Sequence, residues 1–217
     1  MKKIILFSGL ILLVLFVGCR ERGVKGSGNL KTETRQIDDF DELAVSGAYN
    51  IEIEVGPETS CEISAEDNLL TYITTEVING KLVIENSRSI SPKRKIRITL
   101  QTPSLELIEG SGISNVYASG IDERIFNLDL SGAGFIELYG KVEQFNAELS
   151  GAGRLEAIEL FSRFVNIDAS GASSAEIYVS ESLVADLSGV GNIEYYGDPQ
   201  DVKTNISGIG RIVRREY

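Results

Sequence analysis

One feature constrains the fold of this chain more than any other: a Ser-Gly pair recurs every 18 to 20 residues through its carboxyl-terminal half. In each copy, the residues five, three and one before the serine are mostly apolar, as are those five and seven after it. Polar residues separate them, and this period of two is typical of β-strands. Each copy therefore reads as two short strands joined at a Ser-Gly corner. The pairs begin at Ser111, Ser131, Ser150, Ser170, Ser188 and Ser207.

Two short strands cannot bury an apolar face alone, so consecutive copies must stack. The sequence predicts an all-β fold, a parallel β-helix or β-solenoid with coils of about 19 residues. An antiparallel sandwich is the alternative, but it needs regular hairpin turns, and Asn79-Gly80 lies outside the repeats. We expect one domain over residues 37–217, with irregular coils or a cap over 37–104 and regular repeats over 105–217. The segment VSGAYNIEIEVG, residues 45–56, predicts an earlier coil.

The amino terminus predicts export and lipidation. Lys2 and Lys3 precede an apolar stretch over residues 4–17, which ends at Gly18-Cys19. This stretch resembles a bacterial lipobox, so we expect a lipoprotein signal peptide over residues 1–19, with Cys19 carrying acyl chains such as palmitate. An uncleaved hydrophobic anchor is the alternative. Residues 20–36 contain three glycines and few apolar side chains, which predicts a flexible tether.

Composition excludes several function classes. The chain has 21 basic and 32 acidic residues; removing residues 1–19 takes two lysines, which leaves 19 against 32 and a net charge of −13. This balance argues against nucleic acid and against an anionic membrane surface as partners. The sequence has no histidine, which excludes Ser-His-Asp and Cys-His nucleophiles and His-ligated zinc. Cys61 has no cysteine left to pair with after lipidation, and its strand context predicts an inert buried thiol.

The LSGAG corners invite comparison with a phosphate-binding loop. Such a loop occurs once, between a strand and a helix, whereas LSGAG occurs at 130–134 and 149–153 and a strand follows it. We therefore interpret the corner as structural. Glycine tolerates positive φ and close backbone approach there, and stacked serines can form hydrogen bonds with the coils above and below.

Stacking predicts two outward columns of carboxylates about 5 Å apart. Splayed side chains, raised pKa values, interleaved cations or a divalent metal could relieve their repulsion. Outward carboxylates suit a weak Ca²⁺ site, with a simple solvated face as the alternative, and we expect no other cofactor. The candidate calcium ligands are Asp129, Glu148, Asp168 and Asp186. One column, two residues before the serines, is Glu109, Asp129, Glu148, Asp168, Asp186 and Asn205. The other, six residues after, is Glu137, Glu156, Glu176 and Glu194.

Two further sets of side chains recur in register. Asn127, Asn146 and Asn166 predict an amide ladder, with a sugar-binding strip as the alternative. Tyrosines eight residues after a serine predict either an aromatic surface for glycans or a cover for the edge of the stack. They are Tyr139, Tyr178 and Tyr196, with Tyr117 nearby in register.

The order of segments carries a family resemblance. FDELAVSGAYNIEIEVG, then NLLTYITTEVINGKLVIE, KIRITLQTPSLELIEGSG and the LSGAG coils resemble the head GIN domain family of "putative auto-transporter adhesins". The resemblance implies a β-helical protein of the bacterial cell envelope, often carried as a lipoprotein, with no catalytic residues to transfer.

We therefore expect a lipid-anchored envelope protein, at the outer membrane, with a non-catalytic binding or adhesion role toward a surface glycan or protein. One alternative is a carbohydrate-active enzyme, a polysaccharide lyase or hydrolase, with Asp129, Glu148 and Asp168 as its carboxylates. Their recurrence at every coil argues against it, because a catalytic site interrupts a repeat at one place. The other alternative is a purely structural envelope protein.

Overall fold

A computed structural model of the chain describes residues 23–216, of which nearly all the regular structure is β-strand. No helix within this range is both long and apolar enough to cross a bilayer. One short 3-10 turn covers Leu70–Tyr72. The first strands are β1 (Val24–Lys25), β2 (Leu30–Arg35), β3 (Glu42–Ser46), β4 (Asn50–Val55), β5 (Ser60–Glu66), β6 (Ile73–Ile78), β7 (Lys81–Asn86), β8 (Ile90–Ser91) and β9 (Arg97–Thr102). The remaining strands are β10 (Leu107–Gly110), β11 (Asn115–Leu130), β12 (Phe135–Leu149), β13 (Arg154–Ala169), β14 (Ser174–Leu187), β15 (Val190–Tyr196), β16 (Asp201–Ile206) and β17 (Ile209–Arg214).

The strands stack in parallel as a β-solenoid of about five turns, which confirms the predicted fold class. Each long strand, β11 to β14, runs along one face, bends in its middle and continues along a second face. The register shifts at these bends, and Gly120 and Gly140 occupy them with φ of 79° and 148°. The Ser-Gly corners close each turn on the opposite side. We call the face before the corner the first face and the face after it the second face.

The corner glycines are needed for close approach of the stacked backbones. The N–H of Ala152 donates to the carbonyl of Gly132 at 3.0 Å, and a Cβ on Gly151 would lie 1.7 Å from that same oxygen. The corner glycines do not adopt positive φ, so that part of the expectation was wrong. The serine hydroxyls contribute little, since the Ser131 Oγ lies 3.5 Å from the Gly110 carbonyl.

The core runs along the inside of the stack. The apolar positions on either side of the corners at Ser131, Ser150 and Ser170 are buried, as the alternation predicted. Those around the last corner, at Ser207, are exposed or half-buried. Phe126 and Phe145 stack with ring centroids 6.0 Å apart, and neither is exposed beyond 1%. Val202 occupies the equivalent inward line in β16 but is 42% exposed, because no further coil among residues 23–216 covers it. Cys61 lies in the same core as a free thiol, as predicted, and burial raises its pKa to about 11.

The amino-terminal half forms the other end of the solenoid out of sequence order. Strands β3 and β4 make the predicted earlier coil, and the N–H of Ile113 donates to the Gly47 carbonyl beneath it at 2.7 Å. Strands β7 and β9 make one more coil below. Antiparallel β6 and β5 then pair with β7 and β9, and Asn79-Gly80 forms the predicted hairpin turn with φ of 52° and 84°.

The predicted flexible tether over residues 20–36 is wrong from Val24 onward. Strand β2 pairs antiparallel with β5, and β1 pairs with β8. The Arg35 guanidinium donates to the carbonyls of Leu70 and Ile73 at 2.9 and 2.6 Å. This segment therefore covers the capped end of the core through polar contacts, which is why its composition resembled a linker. The predicted signal peptide and Cys19 lie outside the described residues.

Glu66 ties this segment to the body. Its buried carboxylate accepts hydrogen bonds from the backbone N–H groups of Gly28, Lys93 and Arg94 at 2.6, 2.7 and 3.3 Å. Burial acts to raise the pKa of this carboxyl, but the three backbone donors and the nearby Lys93 ammonium hold the pKa below its usual range.

Candidate binding surface

The second face carries a column of carboxylates interleaved with arginines. Continuous parallel pairing places Glu137, Glu156, Glu176 and Glu194 in one line, which we call the glutamate column. The Arg154 guanidinium lies 2.7 Å from Glu156 and 2.8 Å from Glu176, so one cation bridges two successive turns. The repulsion between the stacked carboxylates of this column is therefore reduced by cations that lie between them.

The end of the glutamate column is held in the same way. Arg215 donates two hydrogen bonds of 2.8 Å to the Glu194 carboxylate. The bidentate pair with Arg215 holds the pKa of Glu194 below its usual range, against a smaller opposing effect of burial. The hydrogen bonds between Arg215 and Glu194 therefore link the last turn of the solenoid to the turn before it.

The first face carries the other column, which we call the acidic column: Glu109, Asp129, Glu148, Asp168 and Asp186, in continuous register. Lys81 pairs with Glu109 at 2.9 Å and Glu42 at 3.1 Å. The four candidate calcium ligands, by contrast, form no ion pair with any residue of 23–216. Within that range no three His, Cys, Asp or Glu side chains are placed to hold a metal. The carboxylates lie in a line along the axis and do not surround a point.

The three asparagines on the first face form a ladder. The Asn146 amide donates to the Asn127 oxygen at 2.9 Å, and the Asn166 amide donates to the Asn146 oxygen at 3.0 Å. Asn127 in turn donates to the Glu106 carbonyl at 3.4 Å, and Gln144 donates to the Asn146 oxygen at 2.9 Å. These amides are largely occupied by one another. The arrangement therefore supports the structural interpretation over a sugar-binding strip.

The four tyrosines do not form one platform. Tyr117 lies opposite Glu137 in the glutamate column, and its ring centroid is 4.9 Å from that of Tyr139 at a tilt of 40°. The Tyr139 hydroxyl donates to the Glu137 carboxylate, which with partial burial raises the Tyr139 pKa to about 12. Tyr178 instead packs edge-on against Phe161, with centroids 5.1 Å apart.

A depression of about 310 Å³ joins two of the tyrosines on the second face. Its floor contains Tyr139, Ile158 and Tyr196, all eight residues after a corner serine, and Glu156 and Glu159 lie at its side. We call this the aromatic groove. Sequence reasoning missed Ile158, although its register position is that of the tyrosines, because only aromatic side chains were sought there.

The aromatic groove can bind a ligand that has an apolar face and polar edges. The rings and Ile158 offer a flat apolar floor, and the carboxylates accept hydrogen bonds from hydroxyl or amide donors. Tyr139 and Ile158 lie at the bends where the strand pairing shifts register. The floor is therefore preorganised mainly by side-chain contacts, such as those of Tyr139 with Tyr117 and Glu137.

These stacked coils with unbroken outward columns define a parallel β-solenoid with a repetitive, solvent-facing surface. The chain belongs to the family described as "Putative auto-transporter adhesin, head GIN domain", whose family model matches residues 39–199. Membership confirms the resemblance seen in the sequence and supports an adhesin-like role at the cell surface or envelope. The family description names adhesins and no enzyme.

Solved structures support the same fold. A "putative adhesin" from Bacteroides fragilis is 22% identical, with a TM-score of 0.70, over 89% of this chain and 100% of that one. Another from Parabacteroides merdae is 21% identical, with a TM-score of 0.55, over 88% and 99% of the two chains. A third, from Parabacteroides distasonis, is 18% identical, with a TM-score of 0.53, over 89% and 100%. No curated protein matches the chain.

Proposed function

We propose that this chain is a lipid-anchored adhesin of the bacterial outer membrane, which binds a surface glycan or protein without catalysis through the aromatic groove. The observation that carries the proposal is the arrangement of Tyr139, Ile158 and Tyr196 as one solvent-facing floor beside carboxylates. A pyranose ring presents an apolar face and peripheral hydroxyls, which match such a floor and its flanking acceptors.

The side chains of the groove are supported by their neighbours. Tyr139 is stacked on Tyr117 and fixed by its hydroxyl to Glu137, so little rotamer freedom remains to be lost on binding. Arg154 neutralises Glu156 in part, which lowers the cost of bringing a neutral ligand against this column. A rigid aromatic anchor of this kind is typical of a recognition surface.

The lipid anchor is supported by the amino-terminal sequence and by where the folded body begins. The positive residues, the apolar stretch and Gly18-Cys19 form a lipoprotein signal. Val24 already pairs with the body through a 2.9 Å hydrogen bond to the Ser89 carbonyl. The body therefore starts only a few residues after Cys19, at its capped end. In this arrangement the last turn is the end farther from the anchor along the stack.

The binding proposal is tested with residues 20–217, a chain that contains every described residue. We expect the wild-type protein to be retained by particular glycans or matrix proteins on an array, and a Y139A/Y196A variant to lose that retention. The same chain is incubated with the retained polysaccharides, and we expect no new reducing or unsaturated ends. Cleavage would favour the carbohydrate-active alternative, and absence of both retention and cleavage would favour a structural role.

The anchor is tested independently in cells. Replacing Cys19→Ala removes the acylated thiol, so the variant should leave the membrane fraction while the wild-type protein stays there. Continued retention of the variant in membranes washed at high salt, which removes electrostatic binding, would contradict lipidation at Cys19.

A further inference from the structure

A group of basic side chains at the capped end of the solenoid has no ion-pair partner. Elsewhere most basic residues are paired: Arg154, Arg163 and Arg215, for example, each lie within 2.8 Å of a carboxylate. The unpaired group is exposed, forms no ion pair within residues 23–216, and is called the basic end: Lys25, Lys31, Lys93, Arg94, Lys95 and Arg97.

Strand pairing brings these residues together although they come from two segments. Lys25 lies opposite Ser91 in the short β1–β8 pair, and the Gly26 N–H donates to the Ser91 carbonyl at 3.1 Å. Glu66 then gathers the two segments, because its carboxylate accepts the N–H groups of Gly28, Lys93 and Arg94.

The neighbouring strands carry the remaining members. Lys31 in β2 lies opposite Ala65, and Arg97 in β9 lies opposite Ser64, the adjacent residue of β5. Five elements thus meet at one end of the stack. Because adjacent residues of β5 point to opposite sides of the sheet, Lys31 and Arg97 flank this end from its two sides.

The two carboxylates nearest the basic end, Glu66 and Asp67, offset only part of its six positive charges. Glu66 is buried and accepts three backbone hydrogen bonds. Asp67 accepts hydrogen bonds from the Ser27 hydroxyl and the Asn68 backbone. One end of an acidic chain is therefore locally positive, an asymmetry that the net charge of −11 conceals.

We propose that the basic end docks on the anionic phospholipid headgroups of the membrane in which the protein is anchored. The membrane is the expected partner because of the short distance in sequence between the proposed anchor and the basic end. Cys19 precedes Gly23 by only four residues, and Gly23 lies next to the basic end. The choice of membrane rests on the proposed lipid anchor. Docking holds the capped end against the membrane, while the acidic turns are repelled and point outward.

The two contributions are cooperative. An acyl anchor confines the body to the surface, where each basic residue close to anionic headgroups adds a further attraction. The attraction decays within a Debye length, about 8 Å at physiological ionic strength, so only an end that touches the surface responds. Under this proposal, one end of the chain contacts anionic lipid, although the net charge of the whole chain predicts that it avoids such a surface.

The test uses residues 20–217, without lipid, in flotation with two kinds of vesicle: phosphatidylcholine alone, and phosphatidylcholine with one third phosphatidylglycerol. We expect flotation only with the anionic vesicles, and loss of flotation as salt is raised. An R94S/K95S variant should bind roughly 30-fold more weakly at low salt, since two surface charges are removed. A K25S/K31S variant removes the same charge from the other segment and should behave alike.

The matched control is R124S/K203S, which removes two exposed basic side chains that also lack an ion pair but lie away from the basic end. Its binding should match the wild-type protein. Equal loss in the control and test variants, or equal flotation with both kinds of vesicle, would overturn the proposal. Binding to dextran sulfate but not to the vesicles would overturn a membrane partner. Because the assay contains no lipidated cysteine, its failure is distinguishable from failure of the anchor, which only Cys19→Ala fractionation tests.

Discussion

The Gly151 Cα lies so close above the Gly132 carbonyl that a Cβ atom on Gly151 would approach that oxygen to 1.7 Å. Gly171 has the same relation to Gly151, at 1.8 Å, so each corner fits against the one before it. Real Cβ atoms do not come this near a carbonyl oxygen, and the stack can accept one only by separating. The glycines that mark the repeat in the sequence are thus the places where the coils come closest.

Gly151→Ala should therefore destabilise the fold. Forcing a methyl group into a packed backbone contact costs about 1–3 kcal/mol or more, and the midpoint of urea unfolding should fall accordingly. The matched control is Ala152→Ser, at the exposed next residue, which should stay within about 0.5 kcal/mol of the wild-type protein. An unchanged midpoint for Gly151→Ala would show that the corners are looser than described.

The stacked phenylalanines should carry a large share of the stability of the middle turns. Phe145 is 1% exposed and packs on Phe126, so Phe145→Ala should cost about 3–5 kcal/mol in urea unfolding. Phe161→Ala removes a ring of the same size that is 46% exposed, and we expect a much smaller loss. Similar losses in both variants would contradict the assignment of the core to the inward positions.

The acidic column should be under electrostatic strain that the glutamate column avoids. Glu148 lies between Asp129 and Asp168 with no cation, so Glu148→Gln should stabilise the chain by up to about 1 kcal/mol at low salt, and less as salt screens the repulsion. Glu156→Gln makes the same chemical change in the other column but weakens the pair with Arg154, so it should not stabilise. A gain from Glu156→Gln equal to that from Glu148→Gln would contradict this difference between the columns.

Calcium should act on the acidic column by screening alone, because its carboxylates lie in a line. We expect millimolar calcium to raise the melting midpoint no more than an equal concentration of magnesium does. A shift selective for calcium, reversed by chelator and absent in Asp168→Asn, would instead support the calcium site expected from the sequence.

Glu66 should make the free energy of unfolding decrease as the pH falls into the acidic range. The pKa of its carboxyl is lower in the folded chain than in the unfolded one, so the stabilisation is fully present above the unfolded pKa. It is lost as pH falls through the lower, folded value. Glu66→Gln should lower the melting midpoint at neutral pH and flatten its dependence on pH in the acidic range. Glu62→Gln, at an exposed position on the same strand, should leave both nearly unchanged.

The repeated part of the fold could be predicted because two periods coincide in the sequence. The alternation of two placed Phe126, Leu128 and Leu130 inside, and the interval near 19 placed them beneath the next coil. Because alternate strand residues point outward, the same pattern placed the asparagine ladder, the acidic column and the glutamate column on the outer surface. Which carboxylates would be neutralised could not be predicted, because Arg154 and Arg215 reach their partners across turns.

The amino-terminal half was less predictable because its contacts are not periodic. The order of coils, with β7 and β9 below β3 and β4, depends on pairing between distant segments that no local pattern specifies. The segment before Ile37 was misread because Gly28 and Arg35 bind through backbone and guanidinium donors rather than apolar side chains. The tyrosines shared a register, but the direction of the Tyr178 ring depends on Phe161.

The binding site is tested most directly by measuring the affinity of the array-selected ligand for two tyrosine variants. Tyr139 and Tyr178 both lie eight residues after a corner serine, but only Tyr139 lies in the aromatic groove. Tyr139→Ala removes a ring from the floor of the aromatic groove and should weaken binding by about tenfold or more. Tyr178→Ala removes a ring that packs on Phe161 outside the floor and should bind like the wild-type protein. Equal affinity of the wild-type protein and both variants would contradict the proposal that this groove is the binding site.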